Sequence, residues 1–309
     1  MATKKPKSTA KSKTTKSTKS KAASTTTVKS VSEAPVTKSE AITSKSEEKK
    51  PIFAGFFSKK YEENEGILTI FKNHKFYGAL LGEIIGTALV TLLLFSLSLI
   101  GLHNMAAYAF AVVAIFIGIY AFSGACLNPI ITAGMMATRR LSVIRGVMYI
   151  IAEIIGAWLG WLIFNSFHLA GGDEAYAIPT MSQIADGKFW VVAMIEFMAA
   201  IIIAFFYARA VKYKRSVFTF AAIVAGGFAL VMVISYVISA AFLSLNSNFI
   251  ANPAVALMFQ IFPTSGENFG EIFGGICQAL SVYAFLPMIG GVIGFYLSDF
   301  NARLSGEEA

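Results

Sequence analysis

Six apolar stretches in this chain are long enough to cross a lipid bilayer, and two more, each opened by Asn-Pro, are too short. A helix needs about 20 residues at ~1.5 Å each to span the hydrocarbon core. The long stretches are 76–100, 105–123, 144–167, 188–208, 217–242 and 271–298; the short ones are 129–138 and 253–262. Asn is a preferred helix N-cap, and Pro suits the first helical position because it has no N–H to leave unpaired. Each short stretch therefore reads as a helix that starts at Asn-Pro and stops part-way. Backbone that turns inside a bilayer must be shielded by protein or line water. The pattern predicts an all-α membrane protein with six transmembrane helices plus two re-entrant half-helices around a water-filled path.

The halves of the chain repeat. Glu83 matches Glu196, 113 residues on, and Asn128 matches Asn252, 124 on. Glu153 in Glu-Ile-Ile-Gly is matched with Glu271 in Glu-Ile-Phe-Gly, 118 on. Three spans per half is an odd number, so the second half is expected to be inverted in the membrane, with its Asn-Pro segment entering from the opposite face. That symmetry brings the two half-helix N-termini together at the midplane. Each carries roughly +0.5 of an elementary charge, which repels a cation or proton. A neutral solute with an oxygen would instead meet two side-chain amides, Asn128 and Asn252, able to donate hydrogen bonds.

Charge divides the chain. Residues 1–60 hold 15 Lys and 4 Glu, whereas residues 61–309 hold 11 basic and 14 acidic side chains, so the net +8 belongs to the tail. The tail is Lys, Ser, Thr and Ala, too polar to offset its ordering entropy, and is read as disordered and cytoplasmic. It has no apolar segment of the kind a secretory signal requires. A nucleic-acid arm is one reading; apposition to anionic lipid fits better, because the tail runs into a membrane span. Arg139, Arg140 and Arg145 lie between spans two and three, and Arg209, Lys212, Lys214 and Arg215 between spans four and five. The loop between spans three and four carries Asp173, Glu174 and Asp186 with Lys188 as its one cation. The positive-inside rule then places both termini in the cytoplasm. The expected organisation is a tail at 1–60, a juxtamembrane segment at 61–75, a channel domain at 76–300 and a short C-terminal tail at 301–309.

Ser123-Gly124-Ala125-Cys126-Leu127-Asn128-Pro129-Ile130 resembles the first signature loop of the aquaporin and glycerol-facilitator (major intrinsic protein) family, Ser-Gly-Ala-His-Leu-Asn-Pro-Ala. Asn252-Pro253-Ala254 resembles the second. RGVMYIIAEIIGA at 145–157 is similar to that family's third span, and PMIGGVIGFYLSDF at 287–300 to its sixth. The likeness covers residues 76 to 300 and is closest to bacterial members. It implies a passive channel for small neutral solutes in a cell membrane, most simply glycerol and water, assembled as a homotetramer with one pore per subunit and no cofactor. Half-helix dipoles are an established source of cation exclusion in such channels. In the family the residues matching Glu83 and Glu196 brace loop backbone. The outer filter, carried over by spacing, falls on Tyr108, Ala240, Phe249 and Val255. A small residue at Ala240 and an aromatic at Phe249 look like glycerol-type members. The departures are Cys126 for His, Ile130 for Ala, Ala256 for Asp and above all Val255 for Arg. Ile130 is expected to tighten or displace the midplane, and Val255 to widen the filter and remove a fixed positive charge.

Other readings of these residues stand beside this one. Tyr108 and Phe249 could face lipid or pack between helices, and buried carboxylates invite a proton-relay reading. Glu153 and Glu271 stay open between the two. Gly118, Gly226 and Gly227 are read as close-packing points between helices two and five. Cys126 and Cys277 are read as buried thiols, not as a disulfide or metal set. His74, His103 and His168 are scattered and read as interfacial. A coupled transporter can also use inverted repeats and broken helices, but coupling usually needs a charged midplane site, and the motifs here are neutral. No nucleophile–base pair or metal motif suggests an enzyme.

Overall fold

The computed structural model describes residues 67–100, 105–172, 189–213, 216–238, 241, 250–259 and 268–307. Among these the elements are all helical: α1 (Ile67–Lys72), α2 (His74–Ile100), α3 (Met105–Ser123), α4 (Pro129–Ala137), α5 (Val143–Ala170), α6 (Phe189–Lys212), α7 (Val217–Ile238), α8 (Pro253–Ala256), α9 (Phe269–Leu280), a π-helical turn (Ser281–Phe285) and α10 (Leu286–Leu304). Helices α2, α5, α6, α7 and the continuous run Phe269–Leu304 are long and apolar enough to cross a membrane, and the apolar α3 is shorter. Their outward faces carry large apolar side chains such as Phe110, Phe122, Phe167 and Trp190. Such surfaces suit hydrocarbon rather than water.

The last span is broken in its helical register for a stated reason. Pro287 has no N–H to give the carbonyl four residues back, and its ring would clash there. The chain takes up the mismatch in the π-turn just before it, where Leu286 N–H reaches back to Ser281 O. Val282 and Tyr283 are thereby turned inward and buried.

Glycines set how closely the spans approach. Gly156 and Gly160 of α5 lie on the backbone of α2; an added Cβ would come within 2.3 Å of Ile84 O and 2.5 Å of Ala88 O. Gly290 and Gly294 of α10 lie on α6 in the same way, with Phe197 O at 2.8 Å and Ile201 O at 2.4 Å. Ile84 follows Glu83 and Phe197 follows Glu196, so the same contact is made once in each half. Small residues at this spacing let helix backbones touch.

This contact corrects one match made from the sequence. Span three and span six superpose at an offset of 134 residues, not 118: Gly156 with Gly290, Gly160 with Gly294, Tyr149 with Tyr283. Glu153 then stands opposite Pro287. Glu271 is exposed in the first turn of α9, its N–H capped by Asn268 at 3.0 Å. Glu153 is fully buried. The two Glu-x-x-Gly strings share letters but not surroundings. Gly118 and Gly226 likewise are not close-packing points, since an added Cβ would meet nothing within 4 Å. Gly227 is tight against Phe206 of α6, at 2.6 Å, rather than against α3. Cys126 is buried but Cys277 is exposed.

Candidate pore motif at the meeting of two half-helices

Both short helices begin as their sequences require. Asn128 is extended (φ −161°, ψ 121°) and its Oδ1 accepts the Ile130 N–H at 2.9 Å. Asn252 is also extended (φ −152°, ψ 101°), with Oδ1 accepting from Ala254 N–H at 3.1 Å and Val255 N–H at 3.4 Å. Pro129 and Pro253 follow as first helical residues.

The two caps are tied to each other. Asn128 Nδ2 donates to Ala251 O at 2.8 Å, and Asn252 Nδ2 donates to Leu127 O at 3.0 Å. Each acceptor carbonyl belongs to the residue just before the opposite Asn. Those residues, Leu127 and Ala251, lie in the left-handed region at φ 54° and 42°. Neither is glycine, so both conformations are strained and must be held by their surroundings.

Carboxylates hold them. Glu83 accepts from Cys126 N–H at 3.1 Å and Leu127 N–H at 2.7 Å. Glu196 accepts from Ile250 N–H at 2.7 Å and Ala251 N–H at 2.8 Å. The entering strand of the first loop is further clamped by Tyr207 Oη donating to Gly124 O (2.9 Å) and Tyr149 Oη donating to Ser123 O (3.3 Å). Cys126 Sγ lies 3.9 Å from the Tyr207 hydroxyl.

The arrangement leaves a defined chemical offer. An asparagine amide has two N–H hydrogens. Each Asn spends one on the opposite loop and its oxygen on its own helix, which leaves one further N–H per residue. Both lie beside helix starts, where the backbone dipole favours electron-rich atoms. The pair can orient an oxygen and is unfavourable for a bare cation.

Ile130 does not narrow this meeting point in the expected way. Its side chain is fully buried, and its Cγ2 faces Gly291 of α10, where an added Cβ would come within 2.7 Å of it and within 2.4 Å of Ile130 O. The mates of these two positions are Ala254 and Ala157, both fully buried. One half uses a large and a small residue where the other uses two of middle size.

Of the four filter positions, Ala240 and Phe249 lie outside the described residues. Tyr108 is buried with Val112, Phe116 and Val231. Val255 has no accessible surface and packs in a separate cluster with Phe95, Ala157, Phe164 and Ala254. The described residues do not bring Tyr108 and Val255 into one cluster. Glu153, which the sequence leaves open between a proton relay and a brace, and Thr132, which it does not mark, bond to each other at the first half-helix. The helix period of α4 puts Thr132 one turn after Asn128, which was a legible signal. Among the described residues no group of three or more His, Cys, Asp or Glu could hold a metal ion.

Residues 70–297 match the family model described as Major intrinsic protein. The chain belongs to the major intrinsic protein family. A solved structure of the aquaglyceroporin from Plasmodium falciparum is similar at 14% identity and a TM-score of 0.49, over 74% of this chain and 97% of that one. As a member of its family the chain is a multi-pass membrane protein that acts as a channel for small neutral solutes and not as an enzyme.

Proposed function

We propose that the solutes are glycerol and water, passed down their gradients through a pore whose midplane is the Asn128–Asn252 pair. The reciprocal bonds between those residues carry the reading: they fix two amides side by side, each with one N–H unspent. A polyol can accept from both, and water from either. Glu83 and Glu196 act as braces, because each takes two consecutive loop N–H groups. The outer filter is formed by Tyr108, Ala240, Phe249 and Val255, with glycerol favoured by the small Ala240 and aromatic Phe249. The protein works in a cell membrane as a homotetramer, with both termini cytoplasmic.

Stopped-flow light scattering on proteoliposomes tests the reading. Glycerol and water fluxes well above those of empty vesicles are expected, and larger polyols measured alongside set the size limit. Water flux without glycerol flux would favour a water-selective pore of the same fold. Replacing Asn128 or Asn252 by Leu should remove most of both fluxes. Each replacement also removes a helix cap, costing about 1 kcal/mol, so monodispersity is checked on the same samples. Normal flux through a well-folded Asn128→Leu/Asn252→Leu double variant would sink the assignment.

A further inference from the structure

The pore reading leaves one buried carboxylate without a task. Glu153 of α5 is fully buried, and its Oε1 accepts two bonds: from Asn128 N–H at 3.1 Å and from the Thr132 hydroxyl at 2.6 Å. Its other oxygen, Oε2, is buried with no hydrogen-bond partner. With Glu83 next to it, three successive backbone N–H groups, those of Cys126, Leu127 and Asn128, are held by two carboxylates.

The second half of the molecule is a built-in control. By the offsets that superpose the halves, Glu153 stands opposite Pro287 and Thr132 opposite Ala256. Proline has no side-chain acceptor and alanine no donor. The polar pair of one half is thus an apolar pair in the other, both partners changed together. Yet α8 still starts at Asn252, is still capped, and Ala251 is still held by Glu196. Starting and capping the short helix after Asn-Pro therefore does not require the pair. Burying an incompletely bonded carboxylate is costly, so the pair needs another use.

Its bonds identify that use. They fix the Asn128 backbone on its N-terminal side and tie the same carboxylate to the turn that follows, so that the backbone carrying the Asn128 side-chain amide is held from both directions. We propose that Glu153 is a positioning residue for solute selection: through Thr132 and the Asn128 N–H it sets the first amide against the second at the separation a polyol needs. The inference rests on the pore reading above. Water, which needs one donor at a time, tolerates a displaced amide; a solute bridging both does not.

The test compares glycerol and water permeability in proteoliposomes of wild type, Glu153→Gln, Glu153→Leu and Thr132→Val. Gln keeps an acceptor oxygen for both bonds and should leave the glycerol-to-water ratio at its wild-type value. Glu153→Leu should lower that ratio about fivefold, the factor that one hydrogen bond of ordinary net strength corresponds to. Thr132→Val, close in shape, should lower it in the same direction by a smaller factor. A wild-type ratio in monodisperse Glu153→Leu overturns the proposal, as does an equal fall in Glu153→Gln, which would make the charge and not the acceptor responsible. If Glu153→Leu yields no monodisperse protein, Thr132→Val decides, and an unchanged ratio there overturns it. A wild type that passes neither solute would instead overturn the pore reading itself.

Discussion

Leu127 and Ala251 each hold a backbone conformation that costs of order 1–3 kcal/mol, and each is held by a carboxylate below and an opposing amide above. The strain is useful because it turns both carbonyls toward the opposite cap. Val255 sits three residues beyond Asn252 and supplies no charge at a place where relatives are expected to carry Arg. On the pore reading proposed above, cation exclusion then falls on the helix starts beside Asn128 and Asn252. Val255 itself is fully buried among apolar side chains, so an arginine variant also tests whether this position borders the solute path. Val255→Arg is expected to narrow the solute range, lowering glycerol flux while leaving water flux comparatively intact. Proteoliposome assays with a series of polyols measure this. A folded variant with the wild-type solute profile would mean that Val255 does not line the constriction.

Helix α10 fastens both the first half-helix and the C-terminal end. Arg140 pairs with Asp299 at 2.5 Å and lies 5.5 Å from the Phe295 ring centre, and Tyr296 Oη donates to Ala137 O at 2.9 Å. Higher up, Gly291 accommodates Ile130. Gly291→Ala alone should therefore lower the melting temperature, while Ile130→Ala alone should cost the methyl contacts it removes, roughly 2–5 kcal/mol. Together they remove the clash with Ile130 Cγ2 but leave the Ile130 carbonyl oxygen at 2.4 Å, so the double variant should recover part, not all, of the Gly291→Ala loss and be more stable than the two single effects predict. Coupling of about 0.5–3 kcal/mol is usual for touching residues. Strict additivity in thermal melts would show that the two positions do not share this space. At the end of α6, Arg209 pairs with Glu307 at 3.0 Å, and Tyr213 donates a hydrogen bond to the same carboxylate. That hydrogen bond, then Arg209, lowers the Glu307 carboxyl below its ordinary 4.5; the same hydrogen bond raises the Tyr213 phenol. A carboxyl lowered on folding contributes attachment that is complete above 4.5 and lost as pH falls through the lowered value. Amide hydrogen exchange over residues 302–307, referenced to intrinsic rates, should thus show protection at neutral pH that weakens in more acidic buffer. Glu307→Gln should be less protected throughout; a Gln variant as protected as wild type would refute the latch.

At the scale of the molecule, two copies of one helix arrangement meet at their capped ends. Each half packs its third span on its first through paired glycines, and this brings Glu83 and Glu196 under the two loops. The two half-helix starts meet through neutral amides, with no ion pair across them among the described residues. Transport should therefore equilibrate glycerol and never concentrate it. Tracer uptake into proteoliposomes with an imposed proton or sodium gradient measures this. Accumulation above the external concentration that collapses with an ionophore would establish a coupled transporter instead.

Much of this was legible in the sequence for physical reasons. Span length against bilayer thickness determined the number of crossings, and Asn-Pro before a short apolar run determined where each half-helix begins. Neither depends on neighbours. The paired Gly-x-x-x-Gly strings at 156–160 and 290–294 were equally local, and would have given the correct offset between spans three and six. Tertiary structure alone decided the rest. Whether Ile130 obstructs the midplane depends on Gly291, 161 residues away. The task of Glu153 depends on a loop from another element, and its resemblance to Glu271 was one of letters. A side chain's surroundings are set by which helices touch, and that is a property of the packed whole rather than of any window of sequence.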